Sequence, residues 1–266
     1  MHIVAMHSLA KDKEVLAGRL AAALGVTTYE ALARLRAPGN GPLTVGVFAE
    51  KERAEQRAEL LRTAGFQTAL LTNDEIETER HARAVRQFSL GDHELCVTTD
   101  KGDSLGVPFQ NIRLILRGTM IVRDVSTETV TKRSVSPGRA VLSGGLALTK
   151  TTKEVREVTR DERQGFVNLY AADGSILTFR EKSLLYDSLG PALNVSQTAN
   201  FSHLVSELRR RCPQAPYDDR LLSRAGQIAL LGPSLTPEDH LVVATALLAK
   251  VLKAESGERF LPHQTD

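Results

Sequence analysis

His2-Ile3-Val4-Ala5-Met6 opens the chain as an apolar run of strand length, and the order of elements after it decides the fold. Ser8 or Asp12 can cap a helix over Lys13–Leu24, where Val15, Leu16, Leu20, Ala23 and Leu24 recur at helical spacing. Gly25 then stands where a left-handed cap is wanted. Thr27 followed by Glu30 is a capping box, so a second helix should run to about Arg36. Pro38-Gly39-Asn40-Gly41-Pro42 cannot continue that helix. Leu43–Phe48 has the β-branched content of a strand, and Glu50–Ala64 is rich in helix formers before Gly65 ends it. Phe66–Leu71 closes a strand-helix-helix-strand-helix-strand unit, and both Gly25 and Gly65 should hold positive φ.

Working outward, Thr72–His81 holds Asp74, Glu75, Glu77 and Glu79 with little apolar besides Ile76, and reads as an acidic linker over 73–81. Residues 1–72 should therefore fold without the rest. From Ala82 the period changes to two. Strands are expected up to the turn at Gly91-Asp92-His93, over Glu94–Thr99, and over Ser104–Phe109 after the turn Asp100–Asp103. Asn111–Leu116 and Met120–Thr131 read as two more, divided by Arg117-Gly118-Thr119. Val155–Thr159 and Gly165–Tyr170 resume the meander, and Ala171–Ser175 turns the chain into Ile176–Arg180. Phe201, Leu204, Val205 and Leu208 then mark an amphipathic helix ending near Cys212-Pro213. A tail over 214–266 starts with polar Tyr217–Arg220 and ends in a helix entered at Thr236, Pro237 and Asp239. Its stripe is Leu241, Ala244, Leu248, Val251 and Leu252. The fold class is α+β: a small βααβαβ module (1–72), the linker, a β-meander or barrel capped by a helix (82–213), and the helical tail (214–266).

Two resemblances rest on these residues. The order of the first unit, with Leu24–Ala31 and Ala64-Gly65-Phe66, resembles the C-terminal domain of the bacterial ribosomal stalk protein and the similarly folded ClpS adaptor. Both families bind other proteins, so the resemblance implies a docking module. The lysines of the stalk domain's factor-binding face fall here on Gly18, Tyr29 and Leu32, and the Asn-Asp pair of ClpS is replaced near Met6-His7-Ser8. Neither translation-factor binding nor capture of a peptide amino terminus carries over. The meander sealed by a C-terminal amphipathic helix resembles the bacterial pleckstrin-homology-like fold, which implies binding of a lipid, peptide or protein.

Composition narrows the function classes. A net charge of +2 with 25% charged residues supplies no global attraction for nucleic acid or anionic membrane. Aromatics at 5% with no Trp argue against a stacking platform for single strands, so no nucleic acid is expected as a partner. Cys96 and Cys212 lack a C-x-x-C partner and read as buried thiols of a reducing, cytoplasmic protein. No signal-peptide pattern opens the chain and no apolar run approaches the roughly 18 residues of a span.

Candidate chemistry is sparse. No two histidines share H-x-x-x-H spacing, and His93, His203 and His240 read as surface residues. No serine stands in a G-x-S-x-G elbow. The adjacent pairs Asp161-Glu162 and Asp218-Asp219 point apart and read as solvated acids. The segment 136–150 is the most suggestive, with Gly138, Arg139, Leu142, Gly144, Gly145, Leu146, Leu148 and Lys150 as candidate interaction residues. It lacks phosphate-loop spacing, because Ser143 occupies the second glycine position of G-x-x-x-x-G-K-[ST]. It reads either as an apolar loop with a basic fringe, suited to a partner groove or a membrane surface, or as a buried insertion whose glycines let backbones approach.

The expectation is a non-enzymatic cytoplasmic adaptor or scaffold of bacterial type, without cofactor or metal, for an unidentified protein partner. The alternatives are a peripheral lipid-binding protein or a nucleotide-binding enzyme using loop 136–150. A narrow preference falls on a monomer over a homodimer, since Tyr217–Pro233 is long enough to return the last helix to the body of the chain.

Overall fold

The computed structural model describes residues 1–7, 12–36, 42–135, 149–223 and 237–257. The first sheet has the order β2-β1-β3, with β1 (His2–His7) central and antiparallel to β2 (Leu43–Phe48) and β3 (Gln67–Leu71). A central strand covered on both faces must be apolar on both, which accounts for the unbroken run from Ile3 to Met6. Val4 and Met6 pack with Leu16, Leu20, Leu35 and Leu61 from helices α1 (Lys13–Leu24), α2 (Thr28–Leu35) and α3 (Lys51–Thr63). Asp12 Oδ1 accepts from the Val15 amide at 3.3 Å, and Thr27 and Glu30 form the reciprocal capping box. Gly25 and Gly65 hold φ of 68° and 90°, as expected of residues that close helices.

The acidic stretch expected as a linker is instead a helix, α4 (Asn73–Arg80). Its start is a second capping box: the Thr72 hydroxyl accepts from the Glu75 amide, and the Glu75 carboxylate accepts from the Thr72 amide at 2.8 Å. The acids at 74 and 77 leave Ile76 and Glu79 to point inward, and both are buried.

The second sheet has seven strands, β4 (Arg83–Leu90), β5 (Glu94–Thr99), β6 (Ser104–Pro108), β7 (Ile112–Val135), β8 (Thr149–Ala171), β9 (Ile176–Arg180) and β10 (Tyr217–Leu221). Their order is β10-β7-β8-β9-β4-β5-β6, with β4 parallel to β9 and β10 parallel to β7. Alternation along β8 sends Val167 and Leu169 to one face, against Phe201, Leu204, Val205 and Leu208 of α5 (Gln197–Arg211). Phe166 and Tyr170 go to the other.

That other face meets α6 (Pro237–Glu255), whose Val243, Ala244, Leu247, Leu248 and Val251 are each at most 2% exposed. The same cluster holds Ile3, Ala5, Ala69 and Leu71 from the first sheet and Leu114, Leu116 and Phe166 from the second. The apolar stripe of α6 is thus covered within the chain, each fully buried Leu or Val contributing about 1.5–3 kcal/mol. It also covers the face of the first sheet that α1–α3 leave bare.

Four further expectations change. Asn111–Leu116 and Met120–Thr131 belong to one strand, β7, because Gly118 is a point of close approach rather than a turn: a Cβ there would lie 2.5 Å from the Phe166 ring and 2.8 Å from Leu221. Val155–Thr159 and Gly165–Tyr170 likewise belong to one strand, β8. The polar Tyr217–Arg220 is part of β10, where Arg220 pairs with Asp218 at 2.7 Å. Cys96 is exposed, since it alternates with the buried Leu95 and Val97, whereas Cys212 is buried as expected.

By contacts the chain divides into two compact units, Met1–Met120 with Gly165–Asp266, and Ile121–Gln164. The second unit holds the later part of β7 and the earlier part of β8.

Candidate functional site

A buried polar cluster surrounds Glu79. Helical spacing puts Glu75 and Glu79 on one side of α4, and the strand period puts Asn168 and Tyr170 on one face of β8. Glu79 Oε1 accepts from the Tyr170 hydroxyl at 2.8 Å and from Asn168 Nδ2 at 2.9 Å. Thr178, the register partner of Asn168 on β9, donates to Asn168 Oδ1 at 3.0 Å, which fixes the amide's orientation. Thr245 and Lys253 of α6 complete the surroundings, with Lys253 Nζ 4.4 Å from the centre of the Tyr170 ring.

Burial dominates the electrostatics here. Desolvation raises the Glu79 carboxyl above the ordinary carboxylate range, against the hydrogen bonds from Tyr170 and Asn168 and the charge of Lys253. Desolvation, with the carboxylate beside it, pushes the Tyr170 phenol far above its usual value. The cluster ties α4 to β8 and α6 through polar groups that satisfy one another, the condition under which such groups tolerate burial.

A cavity of about 610 Å³ opens beside this cluster. Asp74, Glu75 and Glu79 of α4 form one wall, and Lys250 and Lys253 of α6 form another. Leu71, Tyr170, Ile176, Ala246 and Ala249 supply apolar surface. At the rim, Lys250 Nζ donates to Glu75 Oε1 and Oε2 at 2.6 and 2.8 Å, and to the Leu70 carbonyl at 2.5 Å. These two side chains are 34% and 40% exposed, whereas the floor at Glu79 and Tyr170 is buried. A second cavity of about 460 Å³ shares Asp74, Thr78, Gly174 and Ile176 with the first and adds His81 and Arg83.

A different kind of surface lies between β9 and α5. Leu193 is 49% exposed and Val195 fully exposed, yet their backbone is clamped. The Asn194 amide donates to Asn200 Oδ1 at 2.6 Å, Asn200 Nδ2 donates to the Asn194 carbonyl at 2.8 Å, and the Ser196 amide donates to Asn194 Oδ1 at 3.0 Å. Asn200 is itself buried, and Ser196 caps α5.

The residues singled out from sequence fall elsewhere. Gly138, Arg139, Leu142, Gly144, Gly145, Leu146 and Leu148 lie outside the described residues, and Lys150 lies in β8. His93 and His203 are exposed and His240 is half-buried. Among the described residues no group of three or more His, Cys, Asp or Glu could hold a metal ion, and no helix is long and apolar enough to cross a membrane. Burial pushes the Cys212 thiol up to about 11, which keeps it protonated and unreactive. Sequence reasoning missed Glu79, Asn168 and Tyr170. The one local signal was Thr72-x-x-Glu75, a capping box of the same form as Thr27-x-x-Glu30, which marks the helix that carries Glu79. No protein-family model, curated protein or solved structure matches the chain, so the geometry of these two surfaces carries the functional reading.

Proposed function

We propose that this protein is a non-enzymatic, protein-binding adaptor of bacterial type that docks through the segment Leu193–Ser196. The observation that carries the reading is the exposure of Leu193 and Val195 on a backbone held by the Asn194–Asn200 hydrogen bonds. An apolar side chain presented on an ordered loop has little conformational entropy left to lose on binding, so its burial goes more fully into affinity. The run of six strands β4–β9 followed by α5 supports the same reading, since its pattern resembles that of pleckstrin-like binding folds. A photo-crosslinking amino acid at position 195 of the full chain, in cells that encode it, tests the proposal. The expected result is a discrete protein adduct that Leu193→Asp removes. No adduct, or a smear of adducts indifferent to Leu193→Asp, contradicts it.

A further inference from the structure

The cavity between α4 and α6 carries opposite charges on its two walls. The acids Asp74, Glu75 and Glu79 all come from α4, the lysines 250 and 253 both come from α6, and the surface between is apolar. At the rim the two walls neutralise one another through the pair Glu75–Lys250. Deeper in, Glu79 takes the neutral donors of Tyr170 and Asn168, while Lys253 lies over the Tyr170 ring. A ligand carrying only an anion would meet the α6 lysines but bring a like charge toward the Asp74 and Glu75 carboxylates. One carrying only a cation would do the reverse. A molecule with both charges matches both walls together, and Leu71, Ile176, Ala246 and Ala249 would then receive an apolar substituent.

We propose that this cavity binds a zwitterionic amine-carboxylate of amino-acid or dipeptide size, with its ammonium toward Asp74 and Glu75, its carboxylate toward Lys250 and Lys253, and an apolar side chain against Leu71, Ile176 and Ala249. At about 610 Å³ the cavity falls within the range of small-molecule sites. The half-exposed Glu75–Lys250 pair is the gate such a ligand displaces, each charge passing from its partner to the opposite charge of the ligand. The adjoining cavity beyond Thr78 and Gly174 gives a second residue somewhere to extend. This site is independent of the Leu193–Ser196 docking surface, and either can fail alone.

The test is titration of the full chain, followed by calorimetry and by amide NMR, with leucine, leucyl-leucine, N-acetyl-leucine and leucinamide. Leucine or leucyl-leucine is expected to bind saturably, with each singly blocked analogue at least about tenfold weaker. Lys253→Met should weaken the zwitterion about tenfold and leave leucinamide unchanged, a signature that mere loss of packing would not give. Ala249→Met, which keeps an apolar side chain on α6 but fills the cavity, should abolish binding in a chain that still melts cooperatively. Absence of binding by both zwitterions up to about 10 mM, or equal binding of the blocked analogues, overturns the proposal.

Discussion

The two faces of the first sheet are covered from very different distances along the chain. Val4 and Met6 meet helices that lie within the next sixty residues, whereas Ile3 and Ala5 meet α6, which starts at Pro237. The near face assembles from contacts that cost little loop-closure entropy; the far face requires nearly the whole chain to be in place first. One sheet is therefore both a local module and a part of the remote core. Its apparent independence in the sequence belongs to one face alone.

The most damaging way to probe that difference is to sever the remote face. Leu248 is fully buried in the cluster that joins the two sheets, so Leu248→Glu places an unpaired charge there and should cost at least about 3 kcal/mol. Because residues of both sheets share that cluster, amides of both should lose protection together in hydrogen exchange. Leu60→Glu on the half-exposed outer side of α3 should stay within about 0.5 kcal/mol of the parent. Loss of protection confined to β1–β3 in Leu248→Glu would show that the two sheets are not coupled through α6.

A smaller effect is expected at Gly118. A side chain there meets the Phe166 ring and Leu221, so Gly118→Val should cost about 1–3 kcal/mol by overpacking, read from urea denaturation. A neutral result would restore the reading of Arg117–Thr119 as a turn.

Glu79 tests the polar tie between α4 and β8. Burial raises its pKa, so the folded chain keeps a proton that the unfolded chain has already released. Between the ordinary carboxylate range and the raised value, stability therefore falls as pH rises, and above that value it is flat. Glu79→Gln cannot ionise and loses this slope. Relative to the parent it should become more stable as pH rises through that window, measured as denaturation midpoints at a series of pH values. A pH-independent difference would mean that the carboxyl ionises alike in both states.

The smallest changes belong to the local face. Gly25→Ala and Gly65→Ala force left-handed φ on residues with a Cβ and should each cost about 1 kcal/mol, without altering exchange in the second sheet.

These contrasts match what could be read from the residues alone. The near half of the first module is marked by local chemistry, in the box Thr27–Glu30 and the stops at Gly25 and Gly65, because caps act within a few residues. Helix α4 is hard to see in the sequence because its inward positions carry Ile76 and a carboxylate, which breaks the apolar stripe by which helices are recognised. Gly118 reads as punctuation because a glycine's need for space depends on Phe166, forty-eight positions later. The polar cluster is equally hidden: Glu79 lies 89 and 91 positions from Asn168 and Tyr170, and no local spacing encodes such a pairing. The stripe of α6 was legible as something that had to be covered, but its charge-lined cavity requires α4 opposite it.

The dependence of the first module on α6 is tested most directly by the fragment 1–72, which contains all of β1–β3 and α1–α3. Without α6 it exposes Ile3, Ala5, Ala69 and Leu71 to water. Its amide NMR spectrum should be poorly dispersed, and its thermal unfolding should lack a cooperative transition. A well-dispersed spectrum with a cooperative melt would contradict the account, because the local face alone would then suffice to hold the sheet.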